Sequence, residues 1–339
     1  MGERKEIVWI NNVRALCMMF VYLQHCEFYI HDSSYVSRPI YQLFYVNAFF
    51  LVSGYLFFRK QLSSPVIDES RKEFIKTDGK RLFENIIFKI LLPTVLFGLL
   101  FFVPKLIIRD TPFSLDYLFK DVLLGGWSWF TATLFVSELF LLVLLLSRQK
   151  NLWFYFVATL IGTLAVFLLP RDTNYVWYYQ SGVMASLILV LGGFYWRYED
   201  YTKKVLENIY VNLLMLITYL AVVYFFGNKL ICDVSMLHVS LLGILMALLS
   251  SILVINICKV IPANPVLGFI GKHSLVFYML SGGLPNVVAI LLRGTSIPYG
   301  LKIVVATIVS LLLATGITWF VNRYVPFMVD LRNLKRKKT

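Results

Sequence analysis

Charge is scarce in this sequence. Of its 339 residues only 15% are Asp, Glu, Lys or Arg, while 59% are hydrophobic and the mean hydropathy is +0.73. An ordinary soluble chain carries about 25% charged residues, so the shortage excludes a water-soluble globular protein. Each bilayer crossing takes roughly 20 residues, which leaves material for about ten crossings and little else. A single integral-membrane domain over 1–339 is therefore expected, with no appended soluble domain. Cysteine is sparse too. Cys17, Cys26 and Cys258 lie in or beside apolar runs and Cys232 in a connection, which supplies neither paired C-x-x-C metal spacing nor a disulfide framework. No metal is expected. Low-complexity segments and internal repeats are also missing. What the sequence has in excess is basic charge, a formal +13. Nucleic-acid binding needs such residues gathered on a solvated face; here they punctuate apolar runs, so no nucleic-acid partner is expected.

Apolar runs of bilayer length fall at roughly 8–30, 41–58, 83–106, 127–147, 152–169, 178–196, 209–226, 236–257, 266–292 and 301–325. They predict an all-α polytopic membrane protein of about ten transmembrane helices. The connection from 59 to 82 is then its largest soluble piece. The ninth run contains Ser281-Gly282-Gly283-Leu284-Pro285, where proline's missing donor and its clash with the preceding turn predict a kink or an unwound stretch. Lys and Arg are distributed unevenly between alternate connections. Those on the side of the N-terminus hold 21, the opposite ones hold 8 (Arg38, Lys105, Arg109, Lys120, Arg171, Lys229, Arg293, Lys302), and Arg14, Lys89 and Lys272 lie within or at the edges of spans. Positive residues are retained on the cytoplasmic side, so both termini are assigned there. Topology thus explains the basic excess, with membrane lipids as partners through their anionic headgroups. The charged start and apolar stretch resemble a signal peptide only superficially, because no small-residue cleavage site follows and Arg14 interrupts the apolar core.

An ionisable residue at the centre of a span costs about 2.5–3.5 kcal/mol on insertion scales and marks function by default. Arg14 and His25 share the first span. Eleven helical steps of about 100° end only some 20° past three full turns, with an axial offset of roughly 16 Å. Both side chains therefore point to one face, Arg14 in the cytoplasmic third and His25 in the outer half. Taken singly, Arg14 is as well explained by snorkelling to the headgroups, and His25 by hydrogen bonding to a neighbouring helix. Together on one face they predict a shared polar stripe.

Five segments carry a resemblance. Ile10-Asn11-Asn12-Val13-Arg14-Ala15-Leu16, with ten residues between Arg14 and His25, resembles the opening signature of bacterial membrane acyltransferase family 3. Phe49-Phe50-Leu51-Val52-Ser53-Gly54-Tyr55-Leu56 is similar to that family's F-F-x-x-S-G-Y-L segment. Lys80-Arg81, with Lys89 four residues before Pro93, is similar to the basic run and proline that enter its third span. Trp127-Ser128-Trp129-Phe130 before Leu134 resembles its W-F-L-x-A-L stretch, and Gly271-Lys272-His273-Ser274-Leu275 with Tyr278 its late G-K-x-S-x-x-x-Y segment. The segments lie in order across residues 10–281. Two positions depart: the family usually has an aspartate where this chain has Asn11, and often a histidine where it has Ser281.

Members of that family move an acyl group, most often acetyl from acetyl-CoA, onto a hydroxyl of a surface glycan or its lipid-linked precursor. The resemblance therefore implies acetyl-CoA or another acyl-CoA as co-substrate, a glycan or lipid-linked sugar as acceptor, and the bacterial plasma (inner) membrane as location. Arginine's planar fork suits phosphate, and histidine, titrating near neutrality, suits removal of a hydroxyl proton. Arg14 is thus assigned to the coenzyme A phosphates and His25 to the base, with Lys80, Arg81 and Lys89 as auxiliary phosphate contacts. Asn11, Ser53, Glu138 and Lys272 are supporting candidates. Direct transfer and a relay through His25 or Ser53 both stand open.

Each lesser candidate has a structural alternative. Glu138, mid-span in the fourth run, pairs with Arg14 or Lys89 or orients His25, or else is a protonated structural glutamate. Ser53-Gly54 reads first as a small-residue helix contact, and Trp127 and Trp129 as interfacial aromatics before glycan-stacking platforms. Tyr175-Val176-Trp177-Tyr178-Tyr179 divides the same way. The competing function is a transporter or flippase for a glycan or lipid-linked sugar, with Arg14 and His25 as substrate or proton-coupling sites.

Overall fold

The computed structural model describes residues 7–30, 38–63, 71–109, 112–171, 176–235 and 237–332. Among the described residues, each of the ten apolar runs is helical over most of its length. They form α1 (Val8–Ile30), α2 (Tyr45–Leu62), α3 (Lys72–Ile107), α4 (Trp129–Leu145), α5 (Leu152–Leu168), α6 (Tyr179–Arg197), α7 (Ile209–Phe226) and α8 (Leu241–Val260). The ninth run divides into α9 (Pro265–Lys272), α10 (Ser274–Ser281) and α11 (Leu284–Arg293), and α12 is Tyr299–Tyr324. Local chemistry sets several starts. Asn151, Asn208, Ser240 and Asn264 each accept a hydrogen bond from a backbone N–H two or three residues on, opening α5, α7, α8 and α9.

By length and hydropathy five helices can cross a membrane, and six if the bent pair α10–α11 is one span. This is fewer than the ten expected. The apolar α4 and α5 are 17 residues long, and α1 and α2 carry polar residues along their length. Two further features differ from expectation. The segment read as a soluble connection is helical from Lys72 onward and runs unbroken into the third span, through π-helical turns at Ile75–Gly79 and Ile87–Leu91; its Lys, Arg and Glu residues are good helix formers despite their charge. A two-stranded hairpin, β1 (Cys232–Asp233) and β2 (His238–Val239), occupies what was read as the start of the eighth run.

The chain contacts divide into two compact units built from non-contiguous segments. The first comprises Met1–Val52, Asp200–Cys232 and Val239–Tyr324. In it α1 packs against α8, α9, α10, α11 and α12. Gly271 permits the approach of α9, since a Cβ there would lie 2.1 Å from the backbone oxygen of Asn11. Asn12, only 1% exposed, donates from Nδ2 to the carbonyls of Cys258 (3.3 Å) and Ile261 (3.0 Å) at the end of α8. Those carbonyls have no intrahelical donor, so Asn12→Ala is expected to cost about 1–3 kcal/mol, read as a lower thermal midpoint in detergent. An unchanged midpoint would deny Asn12 this capping role.

The second unit comprises Ser53–Glu199, Asp233–His238 and Val325–Thr339. Here α6 packs against α4 and α5. Small residues let the backbones close: a Cβ on Gly54 would stand 1.9 Å from the Leu189 oxygen, and Ser137 Oγ donates to Gly182 O at 2.8 Å. The Trp127 indole donates to Thr94 O at 3.1 Å, and its ring lies where a Cβ on Gly98 would point. Trp127 thus anchors α3 to the connection before α4. Trp177 packs on Gly125 and Phe135, while Tyr175 lies outside the described residues.

Candidate functional site

α1 is one continuous helix through Arg14 and His25, so the shared face inferred from their spacing is retained. Arg14 is half-buried, with its guanidinium carbon 5.8 Å from the centre of the Phe49 ring. A cation over an aromatic face is worth about 0.5–2 kcal/mol, more where water is excluded. This contact joins the first and second resemblance segments. Gly271 joins the first to the last, because its lack of a side chain sets α9 directly against Asn11 and so brings the neighbouring Lys272 to the same end of α1. Lys272 itself is exposed.

His25 shares a face of α1 with two tyrosines that reach the broken ninth span. Tyr22 and Tyr29 lie three residues before His25 and four after, on the same face of α1. The Tyr22 hydroxyl donates to Phe277 O at 2.8 Å in α10, and the Tyr29 hydroxyl to Gly282 O at 3.2 Å. The break falls where the Gly-Gly-Leu-Pro sequence predicts it, with α10 and α11 bent by 44° across Gly282–Gly283. Such a break leaves carbonyls that lipid cannot satisfy; Tyr29 supplies a donor at the break itself, and Tyr22 one inside α10 a turn earlier. Ser281 supplies a third from within the span: buried, its hydroxyl donates to Tyr278 O at 2.7 Å. Where the family often has histidine, this chain thus has a kink-stabilising serine. A further interruption at His273, between α9 and α10, was not foreseen.

Glu27, two positions from His25 and so about 200° round the helix, belongs to a polar cluster on the other side of α1. Glu27, 2% exposed, accepts a hydrogen bond from the Tyr41 hydroxyl, and Gln24 accepts one from Tyr45. Gln24 and Glu27 are three residues apart and so share a face.

The remaining candidates belong to the second unit. Ser53 is buried and makes no hydrogen bond among the described residues. Its neighbours in the segment serve packing: Gly54 admits Leu189, and the Tyr55 hydroxyl donates to Glu199 Oε2 at 2.8 Å. Glu138 is half-buried in α4. Lys80 and Arg81 are exposed on α3. Lys89, also exposed, lies within electrostatic reach of Asp330 in the C-terminal segment. Burial pushes the Asp330 carboxyl up, but the hydrogen bonds and charge of Arg332, with the charge of Lys89, hold it below the usual carboxylate value. Arg332 also reaches Asn85 Oδ1 at 3.2 Å and lies over the Phe88 ring. The structure thus gathers Asn11, Arg14, His25 and Lys272 on or against α1 and keeps Ser53, Lys80, Arg81, Lys89 and Glu138 in the other unit.

A family described as an acyltransferase domain matches residues 7–322, nearly the whole chain. No curated protein and no solved structure matches it.

Proposed function

The chain belongs to acyltransferase family 3, and from that membership we propose that it is a membrane O-acyltransferase carrying an acyl group, acetyl above all, from cytoplasmic acyl-CoA to a hydroxyl of a surface or lipid-linked glycan. The observation that carries the proposal is the pair Arg14 and His25 on one face of a continuous helix. Their axial offset of roughly 16 Å is of the order of the pantetheine arm that separates the phosphates of coenzyme A from its thioester.

Arg14 binds phosphate. His25 acts at the other end of the stripe. The acceptor oxygen attacks the thioester carbonyl, a C–O bond forms and the C–S bond breaks. His25 takes the hydroxyl proton and returns it to the leaving sulfur, so that free coenzyme A leaves as the thiol. The match to an acyltransferase gives a transporter or flippase no support.

The proposal places the chain in the bacterial plasma membrane with ten crossings and both termini cytoplasmic. The uneven Lys and Arg distribution supports this, as does the helical state of the ten apolar runs over most of their described length. Even the 17-residue α4 and α5 reach about 26 Å at 1.5 Å per residue, close to the thickness of a hydrocarbon core.

Calorimetry of coenzyme A and acetyl-CoA with the purified protein tests the donor assignment. Losing a charge-assisted contact of about 1.5–3 kcal/mol, Arg14→Ala is expected to bind about 10- to 100-fold more weakly, whereas His25→Ala keeps its affinity. No binding by well-folded wild type, or equal binding by Arg14→Ala, would overturn the assignment.

A further inference from the structure

His25 as the base needs a fixed imidazole, and among the described residues it makes no hydrogen bond that would orient the ring. Its contact is with the Tyr29 ring one helical turn on, with centroids 6.1 Å apart and planes 20° from parallel. Tyr29 is held at two points. Its hydroxyl donates to Gly282 O, and its backbone carbonyl accepts from Arg293 Nε at 3.0 Å and Nη2 at 2.6 Å. Gly282 follows α10 and Arg293 closes α11, so Tyr29 is fastened to both arms of the broken span. In an unbroken helix the carbonyl of residue 282 would accept from the N–H of residue 286. The break releases it for Tyr29.

We infer that Tyr29 is a positioning residue for His25, and that the break in the ninth span orients the imidazole through it. The inference rests on the assignment of His25 as the base. It gives the break a role beyond packing: the bend between α10 and α11 sets where the Tyr29 ring stands, and the stacked ring sets the plane in which His25 meets the acceptor hydroxyl. Gly282 and Gly283 are not there to admit a neighbour, since a Cβ on either would meet nothing within 4 Å. They sit where the helix stops.

The test combines an activity-independent readout with kinetics on the full-length protein in detergent. Diethyl pyrocarbonate modification of His25, followed by peptide mass spectrometry, is compared in wild type, Tyr29→Phe and Tyr29→Leu, alongside kcat and KM for acetyl-CoA. Tyr29→Leu, which loses stack and hydrogen bond, is expected to label severalfold faster and to lose about 10- to 100-fold in kcat, the scale of a small misplacement of a reacting group, with KM unchanged. Tyr29→Phe keeps the stack and is expected to recover to within about threefold, the worth of one neutral hydrogen bond. Equal labelling and kcat in all three proteins, or a loss confined to KM, would overturn the inference. If wild type turns over no acyl-CoA with any acceptor, the acyltransferase proposal fails while the labelling order still decides the positioning. If Tyr29→Leu does not fold, Tyr29→Met, which also loses stack and hydrogen bond, takes its place, and wild-type labelling and kcat in it overturn the inference.

Discussion

His25→Ala is expected to lower acyl transfer by about 10²- to 10⁴-fold, the usual contribution of a positioned general base, while coenzyme A binds as before. The split follows from the geometry of α1. Arg14, with the Phe49 ring beside it, lies some three turns from His25, so removing the imidazole leaves the phosphate end untouched. What is lost is the group that takes the acceptor proton while the thioester carbon is attacked. Initial rates of thiol release from acetyl-CoA with a hydroxylated acceptor mixture provide the measurement. Transfer within tenfold of wild type would remove His25 from the chemistry. The same variant bears on the relay: a covalent acyl adduct persisting on His25→Ala protein after acetyl-CoA exposure would exclude His25 as the acyl carrier.

The second large effect is structural. Gly54→Ala and Gly271→Ala are each expected to cost at or above the roughly 3 kcal/mol upper range of overpacking. In both, the added Cβ meets backbone and not a side chain that can turn away. On Gly54 it would stand 1.9 Å from Leu189 O and 2.5 Å from Leu189 Cα, and on Gly271 2.1 Å from Asn11 O. Helices α2 and α6, or α9 and α1, would have to separate. Thermal unfolding followed by tryptophan fluorescence in detergent reads the loss, with Gly316→Ala as control. Gly316 lies inside α12 with nothing within 4 Å of its would-be Cβ, so alanine there raises helix propensity by about 1 kcal/mol. A Gly54 or Gly271 variant as stable as that control would show that these helices approach less closely than described. Gly271→Ala should also weaken coenzyme A binding, because it displaces the turn of α1 that precedes Arg14, whereas Gly54→Ala acts in the other unit.

Much of this protein was legible from residue order alone. Hydropathy over windows of bilayer length located ten runs, each helical over most of its described length, of which five or six are long and apolar enough to cross a membrane. The Gly-Gly-Leu-Pro stretch located the bend between α10 and α11. Helical periodicity put Arg14 and His25 on one face, and five ordered segments pointed to the family that matches residues 7–322. Each of these is a local property: a run long enough for a bilayer, a proline that cannot donate, a residue spacing on a rigid helix. What only the tertiary structure decided is which surfaces meet. Gly271 reads in sequence as part of a late motif, and only its place against Asn11 explains why no side chain is tolerated there. Tyr22 and Tyr29 read as aromatic residues in an apolar run, and only the carbonyls of Phe277 and Gly282 give their hydroxyls a purpose. The physical reason lies in the solvent. In water an apolar stripe tells a helix which face to bury, but lipid is as apolar as a helix interface, so membrane helices choose partners by small residues and scattered hydrogen bonds. That information belongs to pairs of segments far apart in the chain, and it becomes readable only when they are brought together.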